Sequence, residues 1–284
     1  MIPAAFEYFA PTSVDEAVSL LREHTDAKVL AGGQSLMPVL RLRLAAPTSI
    51  VDIGKVDELR GVRDDGDALV IGAMTPHSTV QSDPLISEHA KLISLATATI
   101  ADPQVRHRGT FGGSLAHADP AGDLPAVAVA LDASFVIAGP DGRRTVAAGD
   151  FFQGVFSTAL AEDELLVEVR VPKYTGWGAH YEKFNRVAQQ WSIVAVAAAV
   201  RLDGDSIAEA RVALTNMGST PIRAIAVEDA LIGRPATAEA VREAAARAAD
   251  GTSPATDLNG DAEYRRHLAS VLTRRAVLAA AGTG

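Results

Sequence analysis

Thr110-Phe111-Gly112-Gly113-Ser114-Leu115-Ala116, continued by His117-Ala118-Asp119-Pro120-Ala121-Gly122-Asp123, is the stretch on which the reading of this chain turns. A similar stretch, Ala31-Gly32-Gly33-Gln34-Ser35-Leu36, occurs much earlier. Each adjoins an apolar run, so each is placed at the end of a core element. Glycine permits positive φ and lets a ligand approach the main chain closely. Successive N–H groups in such a turn form a concavity suited to phosphate oxygens. The hydroxyl of Ser35 or Ser114 adds a donor. Two such loops facing each other would hold a pyrophosphate from both sides. That points to a dinucleotide, and neither loop carries the usual nicotinamide signature.

The bulk composition narrows the class. In 284 residues, 48% are hydrophobic and 21% charged, enough apolar surface for the core of one large domain or of two or three small ones. Aromatics are only 5%, so Ala, Val, Leu and Ile must fill that core. A formal net charge of −9 argues against a nucleic-acid partner. There are no cysteines, so disulfides, thiolate metal sites and the usual iron–sulfur ligands are excluded from this chain. The first residues carry no basic, apolar leader, and no apolar run reaches the roughly 18 residues of a membrane helix. A cytoplasmic protein is expected, with association with the inner face of a membrane left open.

The pattern along the chain divides into three units: 1–57, 58–172 and 173–284. In the first, Ser13 and Glu16 frame a capping box. Val14, Ala17, Val18 and Leu21 then follow helical spacing. Strands are expected at Lys28–Ala31 and Ser49–Ile53. In the second unit, Asp64–Asp67 forms a turn before a strand at Ala68–Gly72. Pro84–Ile100 reads as one helix, the second glycine motif as a loop, and Asp123–Ala130 as a helix with Pro125 near its start. Phe135–Ala138 and Arg143–Val146 form a hairpin, and Leu165–Val171 a further strand. In the third unit, Trp191–Arg201 and Ile207–Thr215 read as antiparallel strands. Helices are expected at Ala238–Ala249 and Glu263–Ala280.

The run from Gln104 to Pro120 resembles the second FAD-binding segment of the molybdenum hydroxylases, and Ala31–Leu36 resembles their first. Ile71-Gly72-Ala73-Met74-Thr75-Pro76-His77 and Tyr181-Glu182-Lys183-Phe184 also fit, so the likeness covers nearly the whole chain. The family is that of the FAD-binding medium subunits of the xanthine oxidase and carbon monoxide dehydrogenase group. The resemblance implies an α+β fold: a two-subdomain FAD-binding domain of the vanillyl-alcohol-oxidase (PCMH) kind, then a C-terminal domain of antiparallel sheet and helices. It implies FAD in this chain, molybdopterin cytosine dinucleotide in a large partner subunit, and two [2Fe–2S] clusters in a small one. The assembly would be a dimer of heterotrimers. Electrons would leave through FAD to an acceptor such as a quinone. Carbon monoxide is the favoured substrate of the assembly, although Gln34 stands where carbon monoxide dehydrogenases tend to have His. Relatives that oxidise aldehydes or N-heterocycles often carry Gln there. The lack of cysteine argues against the branch whose flavin subunit holds an iron–sulfur insertion.

The same resemblance assigns cofactor-binding roles to residues of both motifs and beyond. Ala31, Gly32, Gly33, Gln34, Ser35 and Leu36, with Thr110, Gly112, Gly113, Ser114 and Ala116, would hold the pyrophosphate, largely through backbone amides. Asp119 and Asp123 follow the second motif, and Asp123 would accept from ribityl or ribose hydroxyls. Its alternative is to cap the helix that follows. Lys183 would stand near the flavin, where a cation favours the reduced anionic ring; the alternative is a solvated strand lysine. Trp191 would cover the isoalloxazine; the alternative is a core tryptophan beside Ile193 and Val194. No catalytic side chain and no metal site is expected, His107, His117, Asp119 and Asp123 included. Two other functions compete: a free-standing flavin oxidoreductase, and a non-redox nucleotide-binding module.

Overall fold

A computed structural model describes residues 2–283. Three larger sheets carry the chain in order, with a two-stranded ribbon, Phe152–Gly154 and Ser157–Thr158, beside them. The first is parallel, with Ser49–Asp52 between Glu7–Phe9 and Ala27–Leu30. The helix Val14–Glu23 makes the crossover between its first two strands in sequence, burying Val14, Ala17, Val18 and Leu21. Ser13 Oγ accepts from the Glu16 N–H at 3.2 Å, as the capping pattern requires. The return bond is displaced by one residue, because Glu16 Oε2 accepts from the Thr12 N–H at 2.7 Å.

The second sheet is antiparallel, in the order Val62–Asp65, Ala68–Gly72, Leu165–Pro172, Ser134–Gly139, Gly142–Ala147. Six short helices lie between its second and third strands in sequence: His77–Ser82, Pro84–His89, Lys91–Ala98, Pro103–Arg108, Phe111–His117 and Asp123–Ala130. The single helix expected over 84–100 is therefore two. Ala90 breaks it with φ −146° and ψ 45°. The His89 carbonyl accepts the Tyr174 N–H from outside at 2.7 Å, and Ala90 is buried in the core.

The third sheet is antiparallel, Gly178–Phe184, Val194–Asp203, Ser206–Thr215 and Ile222–Arg223 in order. Its strand Val194–Asp203 begins three residues after Trp191, which lies in the connection before it. Alternation along this strand serves two cores at once. Ala195, Ala197 and Ala199 join the core of the second sheet and its helices. Val194, Val196, Ala198 and Val200 face the opposite way, into a core shared with Ile225–Leu231, Ala238–Ala245 and Ala262–Ala280. Small residues on one face let the helix Asp123–Ala130, which is buried along its whole length, lie against the sheet. Among the described residues, no helix is long and apolar enough to cross a membrane.

The second glycine motif is not a loop. Phe111–His117 is a helix, with Thr110 as its N-cap. Neither Gly112 nor Gly113 has positive φ. Gly112 is required by contact: a Cβ there would overlap the Ala73 Cβ and stand 2.6 Å from the Ala73 Cα. Overpacking of this kind costs about 1–3 kcal/mol when the neighbour is backbone that cannot retreat. Gly112→Ala should lower stability by about that amount, measured by urea unfolding, whether or not FAD is present.

Candidate functional site

The two glycine motifs meet. A Cβ on Gly32 would overlap the Arg108 carbonyl oxygen and lie 2.7 Å from the Gly109 Cα. A Cβ on Gly113 would lie 3.2 Å from the Ala31 Cβ. The end of the first sheet and the start of the glycine helix thus touch main chain to main chain, as the expected pairing of the motifs requires.

Their donors are not equivalent. Among the described residues, no protein acceptor takes the N–H of Gly32, Gly33, Gln34 or Ser35. Gly33 is left-handed at φ +75°, a backbone conformation that occurs in anion-binding turns. Ser35 precedes the helix Leu36–Arg41 and makes no capping bond with its hydroxyl. Four free donors in a turn that admits no Cβ at Gly32 suit an anion, so the first motif fits a pyrophosphate. In the second motif the amides are already used. Phe111 N–H donates to Thr75 O, Gly112 N–H to Ala73 O, Ser114 N–H to Thr110 O, and Gly113 N–H to Thr110 Oγ1 at 3.2 Å. Backbone binding by Gly112–Ser114, as expected from the sequence, is corrected accordingly: the second motif supplies a closely packed wall and the Ser114 hydroxyl. Ala116 lies on the same helix, two residues beyond Ser114.

Behind that wall sits His77, buried, with its N–H on the Gly109 carbonyl at 2.9 Å and its Nδ1 without a partner. Gly109 is glycine because a Cβ would stand 2.8 Å from the His77 ring. Burial first, and the Arg106 charge second, hold the His77 pKa down at about 4 from the ordinary 6.5.

Asp123 and Lys183, both expected near a flavin, meet each other. Their ion pair is 2.8 Å long with side chains only 4% and 6% exposed. Asp123 Oδ1 also accepts from Tyr181 Oη at 2.7 Å and Ser192 Oγ at 2.8 Å, and Lys183 donates to Thr99 O at 3.2 Å. Burial, followed by the Asp123 charge, raises the Tyr181 pKa well above 10. Both bland alternatives fail. Lys183 is not solvated, and Gly122 rather than Asp123 is the N-cap of Asp123–Ala130. The carboxylate is not a free acceptor either, since three protein donors hold it. Sequence reading did not single out Tyr181 or Ser192 as partners of Asp123, because 58 and 69 residues separate them from it.

Trp191 is 52% exposed, so it is not the core residue its neighbours Ile193 and Val194 are. It sits in a connection tied down at its end, where Ser192 binds Asp123 and the Ile193 N–H donates to Phe184 O at 2.8 Å. Gln189 Nε2 fastens the same connection to Asp102 at 2.7 Å. Asp119 holds its own loop, accepting the Ala121 N–H at 2.9 Å.

The family model described as the FAD binding domain in molybdopterin dehydrogenase matches residues 4–174. A second, the CO dehydrogenase flavoprotein C-terminal domain, matches 179–280. The chain belongs to the FAD-binding medium subunits of the molybdenum hydroxylases. It is 45% identical over 284 residues to the carbon monoxide dehydrogenase medium chain of Hydrogenophaga pseudoflava, covering 99% of this chain and 98% of that one. It is 36% identical to the glyceraldehyde dehydrogenase medium chain of Sulfolobus acidocaldarius, covering 97% and 98%. The solved carbon monoxide dehydrogenase of Hydrogenophaga pseudoflava lacking the Mo-pyranopterin moiety superposes with a TM-score of 0.97. That match has 47% identity over 100% of this chain and 99% of that one. The α+β fold, FAD as the cofactor and the oxidoreductase class all follow for this medium subunit.

Removing one partner of a buried pair strands the other charge, at a cost of about 3–5 kcal/mol. Lys183→Met should therefore destabilise the chain by about that amount in urea unfolding, while Lys183→Met combined with Asp123→Leu should recover much of it. His77 gives a pH signature. Its folded-state pKa lies below the unfolded one, so the unfolded chain takes up the proton first. Stability is full above pH 6.5 and falls as pH drops toward 4, by about 3 kcal/mol from this residue. His77→Gln should flatten that slope in unfolding measured between those pH values.

Proposed function

We propose that this chain is the electron-transfer flavoprotein of an aerobic carbon monoxide dehydrogenase, relaying electrons from a small iron–sulfur subunit to an external acceptor such as a quinone. The large subunit, with molybdopterin cytosine dinucleotide, would oxidise carbon monoxide with water to carbon dioxide, and the small one would carry two [2Fe–2S] clusters. The working assembly is a dimer of heterotrimers in the cytoplasm, in reach of the inner membrane face. The observation that carries the reading is the set of unsatisfied amides at Gly32–Ser35, pressed against the second glycine motif, in a chain that matches a carbon monoxide dehydrogenase medium chain end to end.

FAD, when bound, supplies a carrier that accepts electrons singly or in pairs. The chain's own residues bind and shelter it. Gly32, Gly33, Gln34 and Ser35 donate to the pyrophosphate, with Ala31 and Leu36 framing the turn. Thr110, Gly112, Gly113, Ser114 and Ala116 form the opposing wall. Asp119 shapes the loop leading to Asp123. Asp123 and Lys183 would offer the bound cofactor a fixed charge pair, and Trp191 would exclude water from it. The units 1–57 and 58–172 would enclose the cofactor, and 173–284 would close over it.

A second reading keeps the same subunit but gives the assembly an aldehyde or N-heterocycle. It is favoured by the full-length likeness to the glyceraldehyde relative and by Gln34. The test is an absorption spectrum of the protein purified with its copurifying chains, then acid release of the cofactor. Flavin and iron–sulfur bands, releasable FAD and two further chains are expected, with acceptor reduction on adding carbon monoxide. Reduction by aldehydes alone would establish the second reading. No flavin after incubation with FAD and the partner subunits would overturn both.

A further inference from the structure

Asn216 carries no signal in the sequence, yet it bonds to both segments that adjoin the proposed flavin region. It follows the strand Ser206–Thr215 directly and is left-handed, at φ +62°. Its N–H donates to Pro120 O at 2.9 Å. Pro120 belongs to the turn between the glycine helix and Asp123. The Asn216 side-chain amide donates in the other direction, to Ser192 O at 2.9 Å and Ile193 O at 3.3 Å. These are the two carbonyls that follow Trp191. The buried Arg265 also donates to Ile193 O, so that peptide is held from two sides.

Two requirements coincide at this position. The left-handed backbone favours glycine, asparagine or aspartate among ordinary residues. Two consecutive carbonyls facing one side chain require an amide NH2, which glycine lacks and aspartate cannot replace. A turn residue serving backbone shape alone would need only the first. Around it, Ser192 Oγ reaches Asp123 Oδ1, while Tyr181 Oη lies between that oxygen and Thr215 Oγ1, at 2.7 and 3.5 Å. Residues 120, 123, 192 and 216 therefore form one cross-linked corner, and Trp191 projects from it half-exposed.

We propose that Asn216 is a positioning residue of the flavin site. It locks the Ala118–Gly122 turn to the segment bearing Trp191, so that both present one preformed surface to the cofactor. The inference rests on the FAD assignment above. Asn216 itself need not touch the cofactor; it acts through Trp191 and the Asp123 corner.

Asn216→Gly tests this, because it keeps the left-handed backbone and the bond to Pro120 while deleting both side-chain bonds. The full chain, assembled with its partner subunits, is titrated with FAD, following flavin fluorescence, and the melting temperature of the chain is recorded without FAD. The expected result is an FAD Kd raised about tenfold and a bound flavin less quenched than in the wild type. On a Trp191→Ala background, the same change should shift Kd by less than about twofold, since residues acting through one another are not additive. A lowered melting temperature with unchanged Kd and quenching would reduce Asn216 to a turn residue and overturn the proposal. Equal Kd effects with and without Trp191 would overturn its route through that residue. Should Asn216→Gly not fold, Asn216→Asp keeps size and backbone, removes the donors, and is read by the same outcomes. Wild-type chain that binds no FAD, even together with its partner subunits, would instead overturn the flavin assignment itself, a failure visible before any variant is made.

Discussion

The carbonyl of Arg108 rests against the α-carbon of Gly32, and the arrangement of the molecule depends on that contact. It joins the parallel sheet of the first 52 residues to the helical insert of the second sheet with no side chain between them. Residue 32 can carry no Cβ, Gly33 must turn left-handed after it, and the amides of the turn are left without protein partners. A buried N–H without a partner is costly, so four consecutive free ones persist only where solvent or a ligand answers them. The contact that builds the fold thus also leaves these donors free. On the other side of the contact, Gly109 and Gly112 make room for His77 and Ala73, so the wall has no slack.

Electrostatics joins the third sheet to this frame. The helix Asp123–Ala130 is held by that sheet at both ends. Its first residue binds Lys183, Tyr181 and Ser192. Just past its last turn, Asp132 accepts from Arg211 at 3.1 Å and Arg223 at 2.7 Å, and Arg223 also donates to the Val129 carbonyl at 3.0 Å. The Asp123–Lys183 pair is nearly dry, whereas Asp132 is half exposed. By that difference the first end carries the larger penalty if broken, and the second serves chiefly to fix direction.

Much of this was legible in the sequence, wherever the signal is local. Ser13 with Glu16, the turn at Asp64–Asp67, the hairpin of Phe135–Ala138 with Arg143–Val146 and the strand read within Trp191–Arg201 each announce their element. The glycine pairs announced where the two units touch and, through the family pattern, FAD as the cofactor. What the sequence concealed was decided by distant partners. The break at Ala90 has no proline or glycine to mark it; it follows from Tyr174 capturing the His89 carbonyl. The helix at Gly112–Gly113 was masked by residues poor in helix propensity, whose lack of side chains is paid back by packing on Ala73. Asp123 read as a ligand or a cap, since no local pattern tells that Lys183 and Ser192 fold back onto it. Asn216 lay in an unremarked turn for the same reason.

The strand Val194–Asp203 gives alternate side chains to two different cores, and neither core closes without it. A chain severed in the connection at 173–177 would leave one fragment with a row of alanines bared to water, and the other with its buried helix uncovered. The two family models meet at that connection, and the packing of alternate side chains crosses it. Whatever carries this subunit, alone or joined to its neighbours in a longer polypeptide, must carry both halves together.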